Sequence, residues 1–143
     1  MCALTGCAKK AEKYVIVINS RGGSIEGNQL ILEDLNKSAS ISTIGTPRKI
    51  YLVPTQRVAY RWEEFFGQDE PNASLNIYYS ANGSNKEIIT VLQPPIYRNN
   101  KLIFTIKPLT TGFEGNFDEA VLYIDDMICE VGCTAWAAAH DYT

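Results

Sequence analysis

The sequence predicts an all-β chain, folded as an antiparallel β-sandwich of about seven or eight strands with one short interior helix and a short C-terminal helix. Three observations carry this reading. Runs rich in Ile, Val, Tyr and Thr recur along the chain between turn signals spaced about eight to twelve residues apart. An Asn-Gly pair, Asn82-Gly83, stands between two alternating apolar segments, which is a strong hairpin signature. One interior stretch alone, Thr55 to Phe66, shows helical spacing.

With 143 residues, 45% of them hydrophobic and 20% charged, the chain suits one globular domain with a sizeable core. We divide it into 1–12 (signal remnant and tether), 13–133 (β-sandwich) and 134–143 (helical tail). The formal net charge is −3, and the 13 Lys and Arg residues are scattered. That distribution argues against a nucleic-acid partner, which needs a basic face. No apolar run reaches the roughly eighteen residues of a membrane-spanning helix.

Taken in order, Tyr14-Val15-Ile16-Val17-Ile18 is a continuous apolar run, expected as a strand buried on both faces or at a sandwich seam. Ser20 to Ser24, with Gly22-Gly23, breaks it, and Gly27-Asn28 is a second turn signal. Gln29 to Leu35 alternates as a half-exposed strand, whereas Asn36 to Ser42 is polar and expected as a loop. Arg48 to Val53 is a strand bounded by Pro47 and Pro54, since proline cannot donate to a ladder. In Thr55–Phe66, Val58, Trp62, Phe65 and Phe66 share one helical face. Thr55 is placed to cap that helix and Gly67 to end it, with the aromatics plugging the sandwich. Leu75 to Tyr79 and Lys86 to Leu92 flank the Asn82-Gly83 turn, and Gln93-Pro94-Pro95 stops the second strand. Arg98 to Lys101 turns the chain into Leu102–Ile106, which Pro108 ends, and Ala120 to Ile128 is the best strand of all.

Little in the chain points to catalysis. The one histidine, His140, lies three residues from the end, and a Ser-His-Asp or Cys-His site would have to use it. Asp125 and Asp126 are strand neighbours, expected on opposite faces and so unable to flank one bond. We therefore expect a non-enzymatic protein. Glu114, Asn116, Asp118 and Glu119 offer spaced oxygen donors that a loop can wrap around calcium, the only cofactor the sequence suggests; solvated turn carboxylates are the simpler reading. At roughly 3.3 Å per residue Asp125 lies about 20 Å from Asp118, so the two acidic groups form no single site.

The first residues read MCALTGCAKK. Leu4-Thr5-Gly6-Cys7, followed by Ala-Lys-Lys, resembles the lipobox of bacterial lipoproteins, although the charged start and most of the apolar segment of a signal peptide are missing. That resemblance implies a lipid on Cys7 and a periplasmic or cell-surface location, with secretion as the alternative. With Cys2 removed and Cys7 acylated, Cys129 and Cys133 would remain to form a short disulfide, worth on the order of 2 kcal/mol or less. A zinc site on Cys129, Cys133 and His140 is the alternative, and Cys2 or Cys7 would have to complete it.

A second resemblance covers roughly Gln29 to Asp126. Arg57-Val58-Ala59-Tyr60-Arg61-Trp62, Pro71-Asn72-Ala73-Ser74-Leu75, Ile89-Thr90-Val91-Leu92 with Pro95, Leu102-Ile103-Phe104 and Val121-Leu122-Tyr123-Ile124-Asp125 follow one another. This succession resembles a group of small exported bacterial β-sandwich proteins, and it implies an exported β-domain with no catalytic residue transferred. The chain departs from that group at Gly45-Thr46-Pro47-Arg48-Lys49, which stands where the group carries an Asp-Arg-Pro-Glu-Arg loop. The expected function is a binding or assembly module with protein partners or self-association, held at a membrane surface through the lipid anchor. A self-assembling fibre or coat subunit, and a carbohydrate- or calcium-binding module, are the alternatives.

Overall fold

The structure, a computed structural model, describes residues 12–44, 48–109 and 114–129; for 12, 13 and 126–129 it describes the backbone only. Cys7, Cys133 and the expected C-terminal helix therefore lie outside the described residues, as does the side chain of Cys129.

The described chain is an antiparallel, sandwich-like all-β fold. Its strands are β1 (Glu12–Ser20), β2 (Gly23–Glu26), β3 (Gln29–Leu32), β4 (Ser38–Thr43), β5 (Ile50–Pro54), β6 (Asn72–Tyr79), β7 (Ser84–Leu92), β8 (Ile96–Arg98), β9 (Lys101–Pro108), β10 (Gly115–Phe117) and β11 (Glu119–Cys129). The larger sheet runs β5-β4-β1-β11-β6-β7 and the smaller one β10-β2-β3-β9-β8. Strand β9 belongs to both. Its first part pairs β3 and β8, and its last residues, Ile106 to Pro108, pair Leu92 to Thr90 of β7.

One core lies between the layers. Ile16 and Ile18 of β1, Leu75 and Ile77 of β6, and Leu122 and Ile124 of β11 are fully buried. Side chains alternate across a pleated strand, so Val15 and Val17 turn to the opposite face and are half-buried there. The apolar run 14–18 is thus a central strand with two unequal faces, and not a strand wholly inside the protein.

Two short helices, α1 (Thr55–Tyr60) and α2 (Trp62–Phe66), follow β5 with a break at Arg61. They contact β4, β5 and β11 of the larger sheet and β8 of the smaller one. Val58, Trp62, Phe65 and Phe66 are buried, so the aromatic stripe is the core plug that its spacing suggested. Trp62 stacks on Phe66 at 4.4 Å between ring centroids and meets Phe104 of β9 edge-on at 5.8 Å. Gly67 ends α2 in the left-handed region (φ 60°), its N–H donating to the Glu63 carbonyl at 2.7 Å. Thr55 does not cap the helix. It is the first helical residue, and its hydroxyl donates to the Asn36 carbonyl at 2.6 Å.

Other corrections concern strands. Most of Asn36 to Ser42, expected as loop, lies in β4 (Ser38–Thr43), with Ala39, Ile41 and Thr43 facing the core and serines facing out. Small side chains hid its alternation. The Gly22-Gly23 break is itself part of a hairpin: Gly23 begins β2, which pairs β3 through the Gly27-Asn28 turn. Gly23 is required there by close approach. A Cβ at this position would run into the Ile31 carbonyl oxygen and lie 2.7 Å from the Phe117 ring. The β6–β7 turn spans 80–83, and of its Asn-Gly pair only Gly83 uses positive φ (68°). Asn82 contributes its side chain instead, accepting from the Ser84 N–H at 3.0 Å. Between β8 and β9, Asn99 and Asn100 both adopt positive φ (52° and 61°), as a two-residue turn demands.

Candidate functional site

The outer face of the larger sheet is built from the residues that alternate away from the core. One row crosses six strands: Leu52, Ser40, Val17, Tyr123, Ser74 and Ile89 stand side by side from β5 to β7. Serines on β4 and β6 leave low ground between the larger residues. Tyr123, in the middle, keeps 42% of its surface exposed. The neighbouring row adds Asn76 of β6 beside Glu87 of β7.

Val17, Tyr123, Ser74, Asn76 and Glu87 of these rows line a groove of about 490 Å³. Its floor holds Val15, Val17, Ser42 and Tyr123, and Ile44 and Arg48 stand beside them. A polar chain runs along the other side: the Asn76 amide donates to Ser74 Oγ at 3.3 Å, and the Ser74 hydroxyl donates to Glu87 Oε2 at 2.6 Å. Asp125 completes the lining. The groove therefore joins an apolar and aromatic floor to carboxylates and an arginine, a mixture suited to holding a polar chain with some apolar side groups.

The register between β1 and β11 shifts beside this groove. Tyr14 pairs Met127 and Ile16 pairs Ile124, so Asp125 and Asp126 together stand opposite Val15 as a β-bulge. Asp125 lines the groove, and the side chain of Asp126 lies outside the described residues.

The acidic group at 114–119 is not one loop. Gly115–Phe117 is β10, paired to β2, and Glu119 begins β11. Glu114 Oε2 accepts from the Gly27 N–H at 2.7 Å, which ties it to the β2–β3 turn. Asp118 Oδ2 accepts from the Ser80 N–H at 2.6 Å and the Ser80 hydroxyl at 2.8 Å, tying it to the β6–β7 turn. Those hydrogen bonds hold the Asp118 carboxyl below the usual carboxylate range. Asn116 is exposed on β10. The two best-placed carboxylates thus serve as acceptors for turn amides on two different hairpins.

Cys129 is the last residue of β11, with its backbone opposite Glu12, and its pairing with Cys133 lies outside the described residues. No helix among the described residues is long and apolar enough to cross a membrane. A separate aromatic pair, Tyr60 and Tyr97, meets edge-on at 6.2 Å where α1 approaches β8, with Tyr60 69% exposed.

The groove residues were not legible as a site. Arg48, Ser74, Asn76, Glu87 and Tyr123 come from four separate stretches, and only the strand order brings them together. The usable signal was the outward phase of each strand, from which Tyr123 and Asp125 could have been picked. No protein-family model, no curated protein and no solved structure matches the chain.

Proposed function

We propose that the chain is a non-enzymatic binding and assembly module, exported and held at a membrane surface by a lipid on Cys7, with the outer face of the larger sheet as its working surface. The observation that carries this reading is the groove around Tyr123: a half-exposed tyrosine between serine-lined hollows, with carboxylates and Arg48 at its borders. Such a surface recognises a protein segment through apolar contact at its centre and polar contact at its rim. The β-bulge beside it supports the same reading, because bulges gather where a sheet serves a function.

The lipid anchor is supported by the resemblance of Leu4-Thr5-Gly6-Cys7 to a lipobox. Strand β1 starts at Glu12, five residues after Cys7, a span of at most about 18 Å. An anchored chain would therefore keep Glu12 within that distance of the lipid.

A photo-crosslinking residue at position 123, expressed in the native host, tests the working surface. A protein adduct at 123, absent when the same group replaces Asn82 in the distant turn, is expected. Equal labelling at the two positions would remove the groove as the binding surface. Mass spectrometry of the native protein tests the anchor, with acylated Cys7 as its first residue expected. An unmodified Cys7 behind an intact Met1 would end the lipoprotein reading.

A further inference from the structure

Strand β5 is an outer edge of the larger sheet. The phase of its ladder is fixed at both ends: the Thr43 N–H donates to the Lys49 carbonyl at 2.9 Å, and the Thr55 N–H donates to the Lys37 carbonyl at 2.8 Å. In an antiparallel pair, residues that exchange hydrogen bonds alternate with residues that do not. Lys49, Tyr51, Val53 and Thr55 therefore direct their N–H and C=O groups to β4. Ile50 and Leu52 direct theirs away from the sheet. Pro54 falls at the same outward phase, where its missing N–H breaks no bond to β4.

Two of the outward residues, Ile50 and Leu52, are also exposed. Ile50 is 61% exposed, Leu52 54%, and Ile44, one turn away, 55%. Natural edges are normally blunted by charge, brevity or a covering segment, and Ile50 and Leu52 are neither charged nor covered by any described residue.

We infer that this edge pairs with β5 of a second copy of the chain, antiparallel about a two-fold axis at Tyr51, joining two larger sheets into one. This rests on the reading of the chain as an assembly module and names the partner. The register follows from the strand itself. With Ile50 opposite the second copy's Leu52, and Leu52 opposite its Ile50, the four outward N–H and C=O groups of each strand meet four complements. The same operation stacks the two aliphatic pairs into one apolar cluster on the outer face. Arg48 falls opposite Pro54 of the second copy and Lys49 opposite its Val53, so no cation faces a cation. Sliding the register toward the Pro54 end puts that proline within the pairing and loses N–H donors. A net charge of −3 offers little repulsion between copies. The contact is isologous and closes at two.

Sedimentation of the full chain across a concentration series tests the pairing. A reversible monomer–dimer equilibrium is expected. Leu52→Lys and Leu52→Pro should each weaken it at least about tenfold while keeping the circular dichroism spectrum and melting temperature of the dilute monomer. The proline variant is the sharper one, because the Leu52 N–H points outward and its removal touches no bond to β4. A wild-type chain that stays monomeric up to about millimolar concentration would overturn the inference. So would a dimer that tolerates both substitutions. Neither result bears on the lipid at Cys7 or on crosslinking at position 123, so failure of the pairing is distinguishable from failure of the module.

Discussion

Strands β5 and β10 both end a sheet, and the chain treats them in opposite ways. Strand β10 is three residues long, flanked by Glu114 and Asp118, with an exposed Asn116 between them. Both flanking carboxylates are bonded to turns, and Phe117 is sunk into the core at 4% exposure, against Gly23. Short, acidic and pinned, it offers a passing strand little to pair with. Strand β5 shows two outward aliphatic residues and a row of open backbone groups. The difference teaches that one edge is spent on stability and the other is left for contact.

That contrast can be broken by substitution. The largest effect is expected from Phe117→Ala, which removes the pin of β10 and leaves a cavity, costing about 3–5 kcal/mol. Urea unfolding would read it as a lower midpoint at similar slope; a cost near zero would make β10 as free an edge as β5. Gly23→Ala should cost about 1–3 kcal/mol, since the new methyl group meets the Ile31 carbonyl and the Phe117 ring. Asp118→Ala should lower the melting temperature less than either, and only in part of the pH range. Its folded pKa lies below the unfolded value of about 3.9. The stabilisation is therefore present above pH about 4 and is lost as pH falls through the folded pKa. Wild type and variant should differ at pH 7 and draw together as pH falls below about 4 in thermal melts, and a gap that stays constant on acidification would assign the effect to something other than the carboxylate. Smallest of all, Leu52→Lys should change the stability of the dilute monomer by no more than about 0.5 kcal/mol. A larger loss would mean that Leu52 supports the fold.

Much of the sandwich is legible in the sequence where local chemistry decides the outcome. Gly83 and Asn99-Asn100 turn the chain because few other residues accept the backbone angles involved, and Val58, Trp62, Phe65 and Phe66 mark the plug by spacing alone. The missed strands fail for one physical reason. Ser38–Thr43, Gly23–Glu26 and Gly115–Phe117 have little strand propensity of their own and are strands because neighbours pair with them. Gly23 reads as a break, yet it is the residue that lets Phe117 pack. The groove was hidden for a related reason. Each lining residue occupies an unremarkable outward position, and the site exists only once β11 lies between β1 and β6.

That placement of β11 governs how the chain can reach its native state. Strands β1 and β11, neighbours in the middle of the larger sheet, are separated by roughly a hundred residues of sequence. Until β11 has emerged, β1 with β4 and β5 has no bond to β6 and β7, so the larger sheet cannot assemble progressively from one end. Folding should be slow and all-or-none, with long-range closure as its barrier. During that wait the polypeptide remains threadable, the condition under which a narrow translocation pore can pass it.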